Sequence, residues 1–274
     1  MKNRRPIGIF DSGFGGLTVF KEIEKAFPEY DYIYLGDNAR APYGNRSFET
    51  VYEYTLECVK WMYHQGCPLV ILACNTASAK ALRSIQQNDL KEFDPTFRVL
   101  GVIRPTAEVV NSYTHSKHIG ILGTQGTVNS GSYLLEIEKL FPELKVFQHA
   151  CPLWVPFVEN NEFNDDGVDY YIKKDVQQLL EQSPKIDTIL LACTHYPILM
   201  EKIKKYLPEQ VSVIAQGQLV ANSLGDYLQR HPELASIISK NQERHFFTTD
   251  DANAFKSSAS VFLGKEINAD RIHL

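Results

Sequence analysis

Two cysteines are the residues of this sequence best placed to do chemistry. Cys74 lies in residues 72–77 (LACNTA) and Cys193 in residues 191–196 (LACTHY), so one pattern occurs twice. Each cysteine follows an apolar, β-branched run that predicts a buried strand, and each precedes a predicted helix. Sheets of α/β proteins bind ligands at this end of their strands, and a helix N-terminus lowers the pKa of a thiol. Each cysteine is therefore a candidate nucleophile or base.

A second pair of matching segments extends this repeat. Residues 7–13 (IGIFDSG) resemble residues 119–125 (IGILGTQ), and each precedes its cysteine by a nearly equal spacing. Two matching pairs in register indicate a duplicated α/β unit. We expect the two halves to face each other about a pseudo-twofold axis, which places one thiol on each side of a cleft.

The predicted fold class is α/β, with two pseudo-symmetric lobes that each contain a mainly parallel sheet flanked by helices. Residues 1–100 plus 212–274 are assigned to the first lobe, which carries Asp11 and Cys74. Residues 101–211 are assigned to the second lobe, which carries Cys193 and His195. The C-terminal part has the same alternation of predicted strands and helices as the first lobe, so we expect it to pack against that lobe.

Composition excludes several classes of function. The chain has 274 residues, 44% hydrophobic and 22% charged, and a net charge of −5, which argues against a nucleic-acid binder. We find no apolar run near the roughly 20 residues of a membrane span. The first apolar run is interrupted at Asp11 and is too short for a signal peptide, so a cytoplasmic location is expected.

The cysteine and glycine patterns indicate that neither a metal nor a nucleotide cofactor is bound. The five cysteines include no Cys-x-x-Cys pair, and Cys193 with His195 supplies at most two ligands. Free thiols in a reducing compartment are expected. The glycines of residues 11–16 (DSGFGG) do not match the dinucleotide-binding spacing. We interpret them as allowing the backbone to turn tightly and to approach a small ligand.

Three further side chains can be structural or can assist the thiols. Asp11 is either a turn residue or a polar group aimed into the cleft, and His195 is either a packed residue or a partner of Cys193. Glu159 lies in residues 151–160, expected to be an irregular apolar loop, and is either solvated or a cleft acid. The loop of residues 36–45 follows a predicted strand and is either an ordinary surface loop or functional.

Three reactions fit two facing thiols. A Cys–His hydrolase or transferase uses one thiol and leaves the other unexplained, and a redox pair requires the sulfurs within bonding distance. Two-base proton transfer uses both: one thiolate removes a proton from carbon, and the opposite thiol returns one to the other face. The site must then stabilise a carbanion. Strand-end hydroxyls and amides can bind a carboxylate there: Ser12, Asn75, Thr76, Thr124 and Thr194.

Over nearly its whole length the chain resembles the glutamate racemase family, which makes D-glutamate for bacterial peptidoglycan. The matching segments are residues 10–19 (FDSGFGGLTV), 36–37 (GD), 41–44 (APYG), 73–77 (ACNTA), 155–159 (VPFVE) and 193–197 (CTHYP). The resemblance implies racemisation of glutamate without pyridoxal phosphate or metal, often in a homodimer. It implies Cys74 and Cys193 as the acid/base pair, assisted by Asp11, His195 and Glu159. The implied substrate contacts are Asp11, Ser12, Tyr43, Gly44, Asn75, Thr76, Thr124, Thr194 and His195.

Two alternatives to glutamate racemisation stay open at this point. An aspartate racemase or another amino-acid racemase of the superfamily would use the same thiols, and a non-catalytic glutamate-binding protein would keep the fold. The sequence also departs from the family twice. Ala192 replaces the usual glycine before the second cysteine, adding a methyl close to the expected cleft. Residues 215–218 (AQGQ) replace an expected acidic or serine-containing turn, which puts a regulatory or interdomain role of that turn in doubt.

Overall fold

The computed structural model describes residues 5–274, so residues 1–4 of the predicted first lobe lie outside the described part. The strands of this part are β1 (Ile7–Asp11), β2 (Tyr32–Gly36), β3 (Leu69–Leu72), β4 (Arg98–Gly101), β5 (His118–Gly123), β6 (Lys145–Ala150), β7 (Thr188–Ala192), β8 (Ser212–Ile214), β9 (Arg244–Thr248) and β10 (Ala269–Arg271).

These strands form two parallel sheets. Six strands pair in the order β10-β9-β2-β1-β3-β4, and four pair in the order β6-β5-β7-β8. In the larger sheet Phe10 of β1 is in register with Leu35 of β2 and Leu72 of β3. In the smaller sheet Gly123 of β5 is in register with Ala192 of β7. Because every pair is parallel, the carboxyl ends of neighbouring strands meet at one edge of each sheet.

Helices cover the sheets, and within residues 5–274 none combines the length and the apolarity that a membrane span requires. They are α1 (Leu17–Ala26), α2 (Phe48–His64), α3 (Asn75–Lys80), α4 (Leu82–Ser84), α5 (Ile103–Val109), α6 (Gln125–Asn129), α7 (Ser132–Leu140), α8 (Trp154–Glu159), α9 (Asp166–Glu181), α10 (Met200–Lys205), α11 (Gly217–Arg230), α12 (Pro232–Ala235) and α13 (Ala252–Leu263).

Burial of the strands explains their sequences. Every residue of β1, β2, β3 and β7 is buried, because helices cover both faces of a parallel sheet. Such strands read as continuous apolar runs rather than as an alternation of apolar and polar residues. The flanking helices are amphipathic: α1, for example, buries Leu17, Phe20 and Ile23. The predicted α/β fold with two parallel sheets flanked by helices is confirmed.

The structure differs from the predicted lobe boundary at residue 212. Ser212 of β8 is in register with Thr188 of β7, so β8 belongs to the four-stranded sheet. The chain returns to the six-stranded sheet through α11 and α12, and Arg244 of β9 is in register with Tyr32 of β2. Both sheets use short apolar strands, so the sequence does not show which sheet receives a three-residue strand. The rest of the division, with one lobe around each sheet, stays a proposal.

Residues 151–160 are not the irregular loop that was expected. They contain α8, which buries Trp154, Val155 and Val158. Two prolines argued against a helix here, but Pro156 lies in its first turn, where the missing N–H removes no hydrogen bond within the helix. Glu159 is the last residue of α8, so the helix fixes the position of its carboxylate.

Candidate active site

Cys74 lies between the end of β3 and the start of α3. Its Sγ atom caps α3 by accepting a hydrogen bond from the backbone N–H of Ala77 at 3.4 Å. The Ser12 hydroxyl, just beyond the end of β1, is also 3.4 Å from this sulfur. Because β1 and β3 are neighbours in a parallel sheet, their ends bring these two residues together.

The surroundings of Cys74 favour the neutral thiol. The side chain is buried, and desolvation raises the pKa of a thiol. The carboxylate of Asp11 and the second thiol, Cys193, raise it further, whereas the hydrogen bonds from Ser12 and Ala77 lower it. The result is a Cys74 pKa of about 12, so this thiol is protonated near neutral pH.

Cys193 follows β7 and has a different set of neighbours. Its Sγ atom lies 3.8 Å from Nδ1 of His195, and both side chains are buried. The other ring nitrogen of His195, Nε2, is hydrogen-bonded to a carboxylate oxygen of Glu159. Sulfur, imidazole and carboxylate therefore form one continuous chain.

This chain favours the imidazolium form of His195. Burial alone lowers the pKa of a histidine, but the Glu159 carboxylate and the sulfur of Cys193 act in the opposite direction and dominate. The pKa of His195 is raised well above its usual value. A protonated imidazole beside Cys193 stabilises negative charge on that sulfur.

Asp11, which the resemblance implies as an assistant of the thiols, does not hydrogen-bond to Cys74. Its carboxylate accepts from the backbone N–H of Gly13 at 3.0 Å and from the Thr194 hydroxyl at 3.4 Å. Burial raises the pKa of Asp11, and the nearby His195 opposes that effect. The hydroxyl in contact with Cys74 is that of Ser12, and Asp11 acts on this thiol through its charge.

Both thiols line one cavity between the carboxyl ends of the two sheets. The sequence-derived candidates that line it are Ser12, Tyr43, Gly44, Cys74, Asn75, Thr76, Thr124, Cys193, Thr194 and His195. Asp11 and Glu159 stand behind this lining, in contact with Thr194 and His195 respectively. Five lining residues were not anticipated: Pro42, Asn45, Pro152, Val155 and Pro156. Each of them lies in or beside a segment that the sequence analysis had named, and this proximity was the only indication that it lines the cavity.

Two hydrogen bonds join the opposite sides of this cavity. The hydroxyls of Thr76 and Thr124 are 2.9 Å apart, and the N–H of Gly126 donates to the carbonyl of Gly44 at 2.8 Å. The Tyr43 hydroxyl donates its proton to the buried carboxylate of Asp37, so it does not donate to a ligand carboxylate.

The glycines after β1 make room for protein groups rather than for a ligand. A Cβ atom on Gly15 would lie 2.4 Å from Nδ1 of His195 and from the Thr194 hydroxyl. A Cβ on Gly13 would lie 2.9 Å from a carboxylate oxygen of Glu159. The expectation that these glycines approach a small ligand is therefore corrected: they let the loop after β1 pack closely against His195 and Glu159.

One group of side chains in residues 5–274 has the composition of a metal site. The ligand atoms of His149, Cys151 and Asp175 lie within 4.8 Å of one another, and Nε2 of His149 is 3.2 Å from Oδ1 of Asp175. His149 lies in β6, Cys151 follows this strand and Asp175 lies in α9, and none of them lines the cavity that holds the two thiols. An ion bound there would not touch a ligand in that cavity.

Comparison with known proteins defines the class first. The sequence pattern of the Asp/Glu/hydantoin racemase family matches residues 7–224, and the chain belongs to this family. A glutamate racemase from Persephonella marina is 39% identical to it over 268 residues, which cover 98% of this chain and 97% of that protein.

Solved structures agree with this assignment. A glutamate racemase isoform from Bacillus anthracis superimposes with a TM-score of 0.89 at 36% identity, covering 99% of this chain and 98% of that one. The Francisella tularensis enzyme in complex with D-glutamate gives a TM-score of 0.87 at 31% identity, with the same coverage. The predicted resemblance is confirmed.

Proposed function

We propose that this protein interconverts L-glutamate and D-glutamate by proton transfer between the α-carbon and two thiols. The observation that carries this proposal is that Cys74 and Cys193, which follow strands of different sheets, line the same cavity. The relatives with which it shares nearly its full length are glutamate racemases. The product serves peptidoglycan synthesis, as the family resemblance implies.

In each direction one thiolate removes the α-proton and becomes a thiol. The electron pair of the broken C–H bond stays on carbon and then forms a new C–H bond with the proton of the opposite thiol, which becomes a thiolate. The raised pKa of Cys74 favours the neutral thiol at that residue, and the imidazolium of His195 lies beside Cys193, where it stabilises the negative charge that forms when Cys193 acts as the base. No cofactor enters this scheme.

Polar groups around the thiols bind the substrate in this proposal. The amide of Asn75 and the hydroxyls of Ser12, Thr76, Thr124 and Thr194 belong to buried residues that line the cavity, where hydrogen bonds to a carboxylate and to a developing carbanion are strong. Tyr43 and Gly44 contribute backbone groups, because the Tyr43 hydroxyl is bonded to Asp37. His195 assists Cys193, Glu159 holds His195, and the charge of Asp11 acts on Cys74.

Solvent deuterium tests the reaction and its substrate. Metal-stripped protein without pyridoxal phosphate is incubated with L-glutamate in D2O, while circular dichroism follows optical activity and NMR follows the α-proton. Decay of the signal to zero with deuterium at the α-carbon is expected. Turnover of aspartate but not of glutamate would establish the aspartate racemase alternative. Glutamate binding without exchange would establish the non-catalytic alternative, and a covalent acyl-enzyme in the mass spectrum would establish a hydrolase.

We also propose a homodimer in the cytoplasm. The neighbouring helices α5 and α7 leave Val109, Leu134 and Leu135 exposed, and apolar side chains on a surface favour association with a second copy. All five cysteines are free, and the reaction needs two reduced thiols, which a reducing compartment maintains. Light scattering tests the dimer, with Leu135→Lys expected to weaken it, and cell fractionation tests the location.

A further inference from the structure

A closed ring of three hydrogen bonds lies behind Asn75. Its Nδ2 atom donates to Oε1 of Gln216 at 2.6 Å. Nε2 of Gln216 donates to the hydroxyl of Tyr133 at 2.6 Å, and this hydroxyl donates to Oδ1 of Asn75 at 2.7 Å. All three side chains are buried. Each side chain donates one hydrogen bond and accepts another within the ring, so the three hydrogen bonds reinforce one another.

Two groups outside the ring, on Thr106 and Val102, determine which atom of each hydrogen bond is the donor. The Thr106 hydroxyl donates to the carbonyl of Val102 at 2.8 Å, so its oxygen accepts from Nε2 of Gln216 at 2.9 Å. The Val102 carbonyl, which can only accept, lies 3.4 Å from the same nitrogen. The amide nitrogen of Gln216 must therefore face Val102 and Thr106, and its oxygen must face Asn75.

The same logic fixes the amide of Asn75. Its oxygen and one N–H are used inside the ring, so one N–H is left over, and Asn75 lines the cavity that holds both thiols. We propose that Gln216 is a positioning residue that holds the Asn75 amide with an N–H directed at the substrate carboxylate. The proposal rests on the proposed function, which places the substrate in this cavity.

The place of Gln216 in the chain adds a second role. Gln216 follows β8, where the chain leaves the four-stranded sheet. Val102 and Thr106 follow β4, where the chain passes from the six-stranded sheet to the four-stranded sheet. The side chain of Gln216 therefore links Asn75, at the start of α3, to both of the segments that connect the two sheets. A serine in this turn is too short to make these contacts, and a carboxylate has no N–H to donate.

Replacement of Gln216 by methionine tests the proposal, because methionine keeps the length and removes every hydrogen bond. We expect the KM for glutamate to rise about tenfold with a smaller change in kcat, since the loss is a directed bond to a charged group. Gln218→Met is the matched control: this glutamine is exposed, its side chain bonds to Asn222, and its replacement should leave both constants unchanged. If the Gln216 variant does not fold, Tyr133→Phe removes only the hydroxyl that donates to Asn75 and carries the same expectation.

Asn75→Ala separates positioning from general stability. In that background Gln216→Met should add no further rise in KM, because the group that it positions is gone. An unchanged KM in the single variant, or a full additional rise in the double variant, would overturn the proposal. Absence of glutamate racemisation in the unmodified protein would overturn the proposed function instead, and NMR exchange rates of the Asn75 amide protons, expected to increase in Gln216→Met, would still test the ring.

Discussion

The two sides of the cavity share a backbone plan but differ in chemistry. Each thiol follows a buried parallel strand, yet Cys74 contacts a hydroxyl and a backbone N–H, whereas Cys193 contacts an imidazole that is paired with a carboxylate. The residue two positions after the cysteine is Thr76 on one side and His195 on the other. The two sulfurs therefore have equivalent places at the ends of their strands, but the side chains around them differ.

This difference matters because substrate and product differ only in configuration at the reacting carbon. L- and D-glutamate are mirror images, but one protein must remove a proton from either of them. On one side burial and a nearby carboxylate favour the neutral thiol of Cys74, and on the other side the charged imidazole of His195 lies beside Cys193. Each turnover exchanges the acid and base roles of the two thiols, so substitutions on the two sides should change α-proton exchange from the two enantiomers unequally.

Loss of either sulfur should have the largest effect. Cys74→Ser and Cys193→Ser should each lower racemisation at least about a thousandfold, since a hydroxyl is a far weaker acid than a thiol. Each variant should still exchange the α-proton of one enantiomer, and the preferred enantiomer should differ between them, as NMR in D2O would show. Cys67→Ala, in the core below β3, is the control that keeps activity. Normal racemisation in both serine variants would exclude two-base transfer.

Removal of the charge behind Cys193 should come next. Glu159→Gln withdraws the carboxylate that raises the pKa of His195, so the imidazolium is lost at a lower pH. The alkaline fall of kcat/KM should therefore begin at a lower pH than in the unmodified protein, with a loss of about tenfold to a hundredfold at neutral pH. Profiles measured with each enantiomer check this, and a shift to higher pH would contradict the assignment.

Ser12→Ala probes the Cys74 side and should act more weakly. The variant removes one hydroxyl 3.4 Å from the sulfur, so we expect a loss of about tenfold in kcat/KM, the value of one hydrogen bond to a charged group. The alkaline limb set by His195 should stay in place, in contrast with Glu159→Gln. Equal shifts in both variants would mean that the two sides are not chemically distinct.

Ala192→Gly should have the smallest effect. The methyl of Ala192 is fully buried, packs towards Gly123 of the neighbouring strand and does not line the cavity, so the expected methyl close to the cleft faces the core instead. The variant should leave kcat and KM unchanged and lower the free energy of unfolding by about 1 kcal/mol, through lost burial and a more flexible strand. Thermal denaturation measures this, and a tenfold fall in kcat would place the methyl in the site after all.

Local patterns revealed the thiols and most of the cavity lining. Strand-like runs that end at Cys74 and Cys193 were visible in the sequence, and the ends of parallel strands must converge. The lining around them followed from the same short segments and from the resemblance to a known family. Helix α2 (Phe48–His64) also has an apolar periodicity that can be read from the sequence.

Contacts between segments that are far apart in the chain could not be predicted from the sequence. The pairing of Glu159 with His195 depends on α8 ending beside the sulfur of Cys193. The prolines in this segment indicated a loop, so the helix was not predicted. The ring through Gln216 joins four segments that no periodicity relates. The short strand β10 was also missed, because three residues are too few to show a pattern.

The order of strands in the larger sheet also constrains how the protein can be made. β2 pairs with β9, and β9 with β10, so one edge of this sheet is built from residues that are synthesised after the whole of the four-stranded sheet. The four-stranded sheet uses only residues 118–214 and can assemble during synthesis. The half that holds Cys193 can therefore be ordered while the half that holds Cys74 still lacks two strands. Completion of the larger sheet by β9 and β10 therefore requires long-range pairing, of the kind that slows folding.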